Sequence, residues 1–188
     1  MPTSFAPAMD ALLRFSGLDG GFQGYPDPAR FSPEFGERQL RAAARESNED
    51  PVPRRLSLYL HVPFAEQPCN HCPGTVTVGA DRQRVRAYFE RLARQCEQTA
   101  PLFDRDRDVI QLKVGGAGPS TLDAQALGEL LYAASRHFFL SRARDREFMI
   151  ELPVGAHSVD EIQEFADLGF NRARFCVFDF DRASQQRL

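Results

Sequence analysis

The chain has 188 residues with a formal net charge of −3, and 43% of the residues are hydrophobic. A chain of this size and composition can bury a hydrophobic core, which excludes wholesale disorder. The acidic balance argues against a surface that binds nucleic acid. The apolar runs are too short to span a bilayer, and four cysteines are too few for a disulfide scaffold. We therefore expect a cytoplasmic protein that binds neither nucleic acid nor membrane.

The first part of the chain, residues 1–55, differs in composition from the rest because it is rich in proline and glycine. Spacing of apolar residues predicts one short helix here, from Pro33 to Ala44. We interpret residues 1–55 as an N-terminal extension that packs on the main body.

Strands and helices alternate from Leu56 onward. Strands are predicted at residues 56–62, 108–114, 147–152 and 171–180. The first is a continuous apolar run, as expected for a strand that is buried on both faces. Helices are predicted over 81–99, after a cap at Ser120 or Thr121, and after the capping box formed by Ser158 and Glu161. This alternation predicts an α/β fold with parallel strands. A closed eight-stranded barrel needs a longer chain than this one, so the sequence predicts an open sheet or a partial barrel.

Ligands of parallel α/β folds bind at the carboxyl ends of the strands. The segments that follow the four predicted strands are therefore the candidate site. They are the loop from His61 to Gly74, the turn Gly115–Ser120, the strand end at Glu151 and the segment Phe178–Phe180.

These segments resemble the radical S-adenosylmethionine enzymes, and most closely the oxygen-independent coproporphyrinogen III oxidases. The first strand of that family reads Tyr-x-His-Ile-Pro-Phe-Cys and leads into further cysteines, which resembles Tyr59-Leu-His61-Val-Pro63-Phe64-Ala65 followed by Cys69 and Cys72. The turn Gly-Gly-Gly-Thr-Pro-Thr resembles Gly115–Ser120, and Glu-Val-Asp-Pro resembles Glu151–Val154. The segment Asn-Arg-x-Ser-x-Gly-Val-Gln-Asp-Phe resembles Asn171–Phe180. The resemblance implies a partial parallel (β/α) barrel of about four βα units over residues 56–188.

The resemblance also implies a set of site residues. The family holds a 4Fe–4S cluster with three thiolates, and soft sulfur ligands are what such clusters require. Ala65 stands at the first cysteine position, so Cys69 and Cys72 form an incomplete metal site and we expect no cluster. Cofactor-binding positions carried over from the family are Tyr59, Gly115, Gly116 and Glu151, whereas the family threonine and glutamine have become Gly118 and Phe178. No catalytic residue is assigned.

Two further cysteines, Cys96 and Cys176, are not expected to complete the cluster. Cys96 lies on the apolar face of a predicted helix and Cys176 lies inside the last predicted strand. Free cysteine commonly behaves as a small core residue, so we expect both thiols in the core.

We interpret the chain as a non-catalytic binding, accessory or regulatory protein without a resident cofactor, whose candidate ligands are S-adenosylmethionine, a tetrapyrrole or a partner protein. One alternative is an active radical S-adenosylmethionine oxidoreductase of porphyrin biosynthesis with a non-protein cluster ligand. Another is a zinc or thiol redox protein that uses Cys69 and Cys72 with His61 and His71. An unfinished barrel leaves an open edge strand and an uncovered apolar inner face, so we expect a homo-oligomer or a protein partner that covers them.

Overall fold

The structure is a computed structural model that describes residues 31–52, 54–65, 76–79, 81–116, 123–177 and 180–185. The chain divides into two compact units, Met1–Arg41 and Ala42–Leu188. Most of the N-terminal extension lies outside the described residues, so the division into an extension (1–55) and a core (56–188) stays a prediction.

The described elements are five α-helices and six strands, which we number in chain order. The helices are α1 (Glu37–Asn48), α2 (Arg82–Thr99), α3 (Ala124–Ser135), α4 (Val159–Asp167) and α5 (Arg182–Gln185). The strands are β1 (Leu56–Val62), β2 (Phe64–Ala65), β3 (Thr77–Val78), β4 (Val109–Gly116), β5 (Glu147–Leu152) and β6 (Arg172–Phe175). A short 3₁₀ helix, Ala100–Leu102, follows α2.

The main sheet has the strand order β1-β4-β5-β6, and every neighbouring pair is parallel. Helices α2, α3 and α4 lie in the connections between these strands, as right-handed βαβ crossovers require. β2 and β3 form a separate two-stranded parallel sheet. The fold is the α/β class that the sequence predicts, with the parallel sheet of a partial barrel.

The helix boundaries follow from local capping. The Ser158–Glu161 capping box is confirmed, because each side chain bonds to the backbone of the other residue. The cap expected at Ser120 or Thr121 is corrected: Asp123 caps α3 by accepting from the Ala126 amide at 2.8 Å. The helix expected from Pro33 begins instead at Glu37, because the preceding residues form a turn closed by the Phe35 amide on the Ser32 carbonyl at 3.1 Å.

One face of the main sheet forms the hydrophobic core with the helices. Alternate strand residues point to this face, and the most deeply buried of them are Leu60, Val62, Leu112, Val114 and Ile150. The helices contribute Leu127, Leu130 and Phe165. Cys96 of α2 is also buried here, which confirms its predicted core position, and burial raises the pKa of its thiol.

The other face of the main sheet is open within the described part of the chain, and this corrects three expectations. Ser57, Tyr59 and His61 are exposed on β1, so that strand is buried on one face only. The open face carries polar and charged side chains, so it is not the apolar inner face that we expected of an unfinished barrel. All four residues of β6 are exposed, and so is Cys176 just beyond it, which makes the core prediction for Cys176 wrong.

No helix in the described ranges is both long enough and apolar enough to cross a membrane.

Candidate functional site

The candidate site lies on the open face of the main sheet, toward the carboxyl ends of its strands. The strand register places predicted site residues beside other polar or glycine positions. Tyr59 pairs with Lys113, His61 pairs with Gly115, and Glu151 pairs with Arg174. We call this surface the open sheet face. Its members with polar contacts are Ser57, Tyr59, His61, Gln111, Lys113, Gly116, Glu147, Glu151, Arg172 and Arg174.

Glu151 lies at the centre of a group of close polar contacts on this face. Its Oε1 lies 2.7 Å from Lys113 Nζ and 3.0 Å from Arg174 Nη1. Its Oε2 accepts a hydrogen bond from the Gly116 amide at 3.0 Å. The Glu151 side chain is only 17% exposed, so these contacts use most of its hydrogen-bonding capacity. We call these four residues the Glu151 cluster.

The two glycines at the end of β4 create the space that Glu151 occupies. A Cβ added at Gly115 would lie 2.1 Å from Glu151 Oε2 and 2.7 Å from its Cδ. A Cβ added at Gly116 would lie 2.5 Å from the Val62 carbonyl oxygen, and the φ of Gly116 is +137°. The glycine turn therefore admits the chain's own carboxylate, and a side chain at either position would displace it or the backbone.

Tyr59 and His61 form the edge of the site on β1. The Tyr59 hydroxyl lies 3.2 Å from His61 Nδ1, and Lys113 Nζ lies 5.1 Å from the centre of the Tyr59 ring. Partial burial raises the pKa of Tyr59, and the negative charge of Glu151 raises it further. The Tyr88 hydroxyl of α2 donates to the His61 carbonyl at 2.7 Å and so fixes this strand end.

A second layer of polar contacts lies nearer the amino ends of the strands. Ser57 Oγ donates to Gln111 Oε1 at 2.7 Å, and Arg172 donates to Glu147 at 3.2 Å. Glu147 is 41% exposed and Arg172 is 59% exposed, so this pair contributes less to stability than the Glu151 cluster.

Sequence reasoning found Tyr59, Gly115, Gly116 and Glu151 but missed Lys113 and Arg174. Lys113 is the only lysine of the chain, and it lies two residues before Gly115 on the same strand. Because side chains alternate along a strand, this spacing puts the lysine on the same face as Gly115. That alternation was the available signal for Lys113.

Ala65 lies in a folded segment and not in an open loop. It forms β2 with Phe64, its carbonyl accepts from the Gly79 amide at 3.2 Å, and the residue is 6% exposed. Cys69 and Cys72 lie outside the described residues, so their assignment as an incomplete metal site stays a prediction. Within the described ranges, no three His, Cys, Asp or Glu side chains are placed to hold a metal ion.

The residues present do not fit a cluster that is held by three thiolates. Ala65, 6% exposed in β2, places a methyl group with no donor atom at the position that the resemblance assigns to the first thiolate.

Comparison with known proteins identifies the relatives of this fold and site. No family model matches the chain. Curated relatives are oxygen-independent coproporphyrinogen III oxidases: the Pseudomonas aeruginosa protein is 29% identical over 177 residues, which is 94% of this chain and 38% of the relative. The Synechocystis protein is 31% identical over 165 residues, which is 88% of this chain and 34% of the relative.

A solved structure is also similar to this chain in fold. It is the Escherichia coli coproporphyrinogen III oxidase, described as a radical SAM enzyme, which matches with a TM-score of 0.77 and 29% identity over 94% of this chain and 38% of that one. The chain thus spans well under half the length of the proteins that it matches. In sequence and fold it is similar to the oxygen-independent coproporphyrinogen III oxidases, of which the Escherichia coli structure is described as a radical SAM enzyme.

Proposed function

We propose that this chain is a cluster-free relative of the coproporphyrinogen III oxidases that binds a tetrapyrrole without converting it. The observation that carries the proposal is the buried methyl group of Ala65, 6% exposed, at the position where the resemblance puts a cluster thiolate. Soft sulfur donors hold iron–sulfur clusters, and a methyl group cannot replace one. Cys69 and Cys72 alone would leave two irons of a four-iron cluster without a protein ligand.

The Glu151 cluster supports a binding role that differs from that of an S-adenosylmethionine enzyme. Lys113, Arg174 and the Gly116 amide already engage the carboxylate at 2.7, 3.0 and 3.0 Å. A ligand that sought this carboxylate would have to displace an intramolecular cation, and that displacement reduces its affinity. The proposal therefore includes weak or absent binding of S-adenosylmethionine.

The charge of the open sheet face favours a ligand with carboxylates. Three cations, Lys113, Arg172 and Arg174, face two carboxylates, Glu147 and Glu151, which leaves one net positive charge. The curated relatives are named for coproporphyrinogen III, a tetrapyrrole that carries carboxylate side chains. Charge-assisted hydrogen bonds from Lys and Arg are the strongest way to bind such groups.

Anaerobic reconstitution with iron and sulfide tests the missing cluster. We expect the wild-type protein and the control variant Ala65→Ser to stay colourless and to leave S-adenosylmethionine intact. We expect Ala65→Cys to gain visible absorbance, because it restores the third thiolate. A brown wild-type protein that cleaves S-adenosylmethionine would establish the alternative, an active oxidoreductase with a non-protein cluster ligand. Stoichiometric zinc after purification without chelator would favour the zinc-site alternative.

Fluorescence titration with coproporphyrin III, the stable oxidised form, tests the ligand. We expect binding that Lys113→Met weakens, because that variant removes a cation from the open sheet face and keeps an apolar stem. The tetramethyl ester of coproporphyrin is the matched neutral ligand, and it should bind less tightly. Equal binding of the acid and the ester, or no binding of either, would contradict the tetrapyrrole proposal.

We also propose that a second copy of the chain covers strand β6. This strand lies at the edge of the described sheet, and the apolar residues on and after it are exposed: Phe175 is 49% and Val177 52% exposed. An open strand edge with exposed apolar groups favours pairing with another chain. Sedimentation velocity should show a dimer that Phe175→Glu dissociates. The control Tyr132→Glu, at a 69% exposed residue of α3, should leave it intact, and a monomeric wild type at high concentration would refute the proposal.

A further inference from the structure

A cavity lies at the opposite end of the main sheet from the Glu151 cluster. It has a volume of about 540 Å³ and is bounded by the first residue of β1, the segment after α2 and the end of α3. We call it the basal cavity. Its lining residues include Leu56, Phe103, Asp104, Arg105, Arg107 and Arg136.

The basal cavity is positively charged. Arg105, Arg107 and Arg136 line it, and Asp104 is the one carboxylate among its lining residues. Within the described chain, none of the three guanidinium groups has a carboxylate oxygen within 4.0 Å. The cavity therefore has an excess of two positive charges that nothing described neutralises.

Arg107 is the most unusual of these residues because it is only 7% exposed. Its Nε donates to the Arg54 carbonyl at 2.7 Å, its Nη1 donates to Asn48 Oδ1 at 2.8 Å, and its guanidinium lies 5.6 Å from the centre of the Phe103 ring. These contacts satisfy two nitrogen atoms but bring no negative charge. Arginine is almost never this deeply buried without an ionic partner.

Six of the other eight lining residues are apolar, and the two polar ones are Ser135 and His137. Leu56, Phe103 and Phe138 belong to the hydrophobic core or pack against it, and all three line the basal cavity. A volume of this size, with an apolar lining and a few polar groups, is typical of a site for a small organic ligand. The guanidinium groups would bind the charged end of such a ligand, and the aromatic wall would contact its ring.

We propose that the basal cavity binds a small organic anion, namely an aromatic ring that bears a phosphate or a carboxylate. The anion supplies the negative charge that Arg107 lacks within the described chain. The site is separate from the open sheet face, and the proposal does not depend on the ligand of that face.

Isothermal titration calorimetry with phenyl phosphate and with benzoate tests this proposal and distinguishes the two anions. Benzyl alcohol is the neutral control, and we expect it not to bind. The test variant is Arg105→Gln/Arg136→Gln, because both residues are exposed and line the cavity. The loss of two charge-assisted contacts should weaken binding about tenfold or more.

The matched control is Arg84→Gln/Arg91→Gln, which removes the same charge from exposed residues of α2 outside the cavity. We expect less than a twofold change in affinity. Equal weakening by both double variants would mean that net charge and not the cavity attracts the anion, and this would overturn the proposal. The absence of binding by both aromatic anions would also overturn it.

Binding of coproporphyrin III separates this proposal from the proposed function. Arg105→Gln/Arg136→Gln should leave coproporphyrin binding unchanged, and Lys113→Met should leave binding of the aromatic anion unchanged. If either variant lost binding of both coproporphyrin III and the aromatic anion, one site would serve both ligands, and this would contradict a separate basal site.

Discussion

Replacement of Gly115 by alanine tests whether the glycine turn is shaped by Glu151. The added Cβ would lie 2.1 Å from Glu151 Oε2 and 3.1 Å from its Cγ, so the carboxylate must move. When it moves, it loses the Gly116 amide at 3.0 Å and its close contacts with Lys113 and Arg174. Gly115 has no positive φ, so alanine introduces no backbone strain at this position.

The magnitude follows from these contacts. A hydrogen bond to a charged group contributes about 1.5–3 kcal/mol, and each partly exposed ion pair contributes about 0–1 kcal/mol. A glycine-to-alanine change also stabilises the folded state by about 0.4–1 kcal/mol, because it reduces the conformational entropy of the unfolded chain. We therefore expect Gly115→Ala to lower the free energy of unfolding by about 0.5–4.5 kcal/mol.

The decisive assay is a double-mutant cycle measured by urea unfolding. In the Glu151→Ala background, Gly115→Ala should be neutral or stabilising, because the three nearest atoms to the added Cβ all belong to Glu151. The control is Gly116→Ala, whose Cβ meets the Val62 carbonyl oxygen at 2.5 Å and should destabilise the protein in both backgrounds. An equal cost of Gly115→Ala in both backgrounds would refute the interpretation.

Two further predictions concern other polar groups of the same unit. Arg55 donates to both carboxylate oxygens of Asp108, at 2.7 and 2.6 Å, and this lowers the pKa of Asp108 to about 2. Because the folded-state pKa lies below the unfolded value of 3.8, the contribution of Asp108 to stability is complete above about pH 5 and is lost as the pH falls through the folded-state pKa of about 2. Asp108→Asn should therefore lose less stability between pH 7 and pH 3 than the wild type, as measured by urea midpoints. The exposed control Asp106→Asn should behave like the wild type, and an equal loss of stability in Asp108→Asn and the wild type would contradict the prediction. The side chain of His157 is only 4% exposed, and its ring packs 5.2 Å from that of Phe165. Among the described residues, neither ring nitrogen has a hydrogen-bond partner. His157→Leu should raise the free energy of unfolding by about 1 kcal/mol because it removes a buried unsatisfied polar group, and a lower midpoint would show that the imidazole is bonded after all.

Much of the fold could be predicted because local signals agree with tertiary structure. The run at 56–62 forms β1 with those bounds, and the Ser158–Glu161 capping box opens α4 as expected. Two helix starts were displaced by local chemistry: Asp123 caps α3, and the Ser32–Phe35 turn delays α1 until Glu37. Capping side chains separated by a few residues compete, and the sequence alone does not decide between them.

Whether the open sheet face is buried or exposed could not be predicted from hydrophobicity alone. Tyr59 and its neighbours on β1 read as a continuous apolar run, yet Tyr59 is 50% exposed. The reason is that the Tyr59 hydroxyl lies 3.2 Å from His61 Nδ1 on the open face, where the Tyr59 ring also contacts the ammonium group of Lys113. Amphipathic side chains of this kind suit either environment, so their presence in a strand does not establish burial on both faces.

The glycine turn shows why a motif alone does not identify a ligand. A Gly-Gly pair at a strand end allows close approach of any group, and it does not specify whether that group belongs to a cofactor or to the chain. Here the nearest group is Glu151, and Lys113 and Arg174 neutralise its charge from the two adjacent strands. In a parallel sheet, residues on neighbouring strands at one level share a face, so a carboxylate beside two such cations binds them in preference to a solvent-borne cation. In this chain, therefore, the residue two positions before the glycine pair and the residue across from the glutamate hold the carboxylate that the glycines admit.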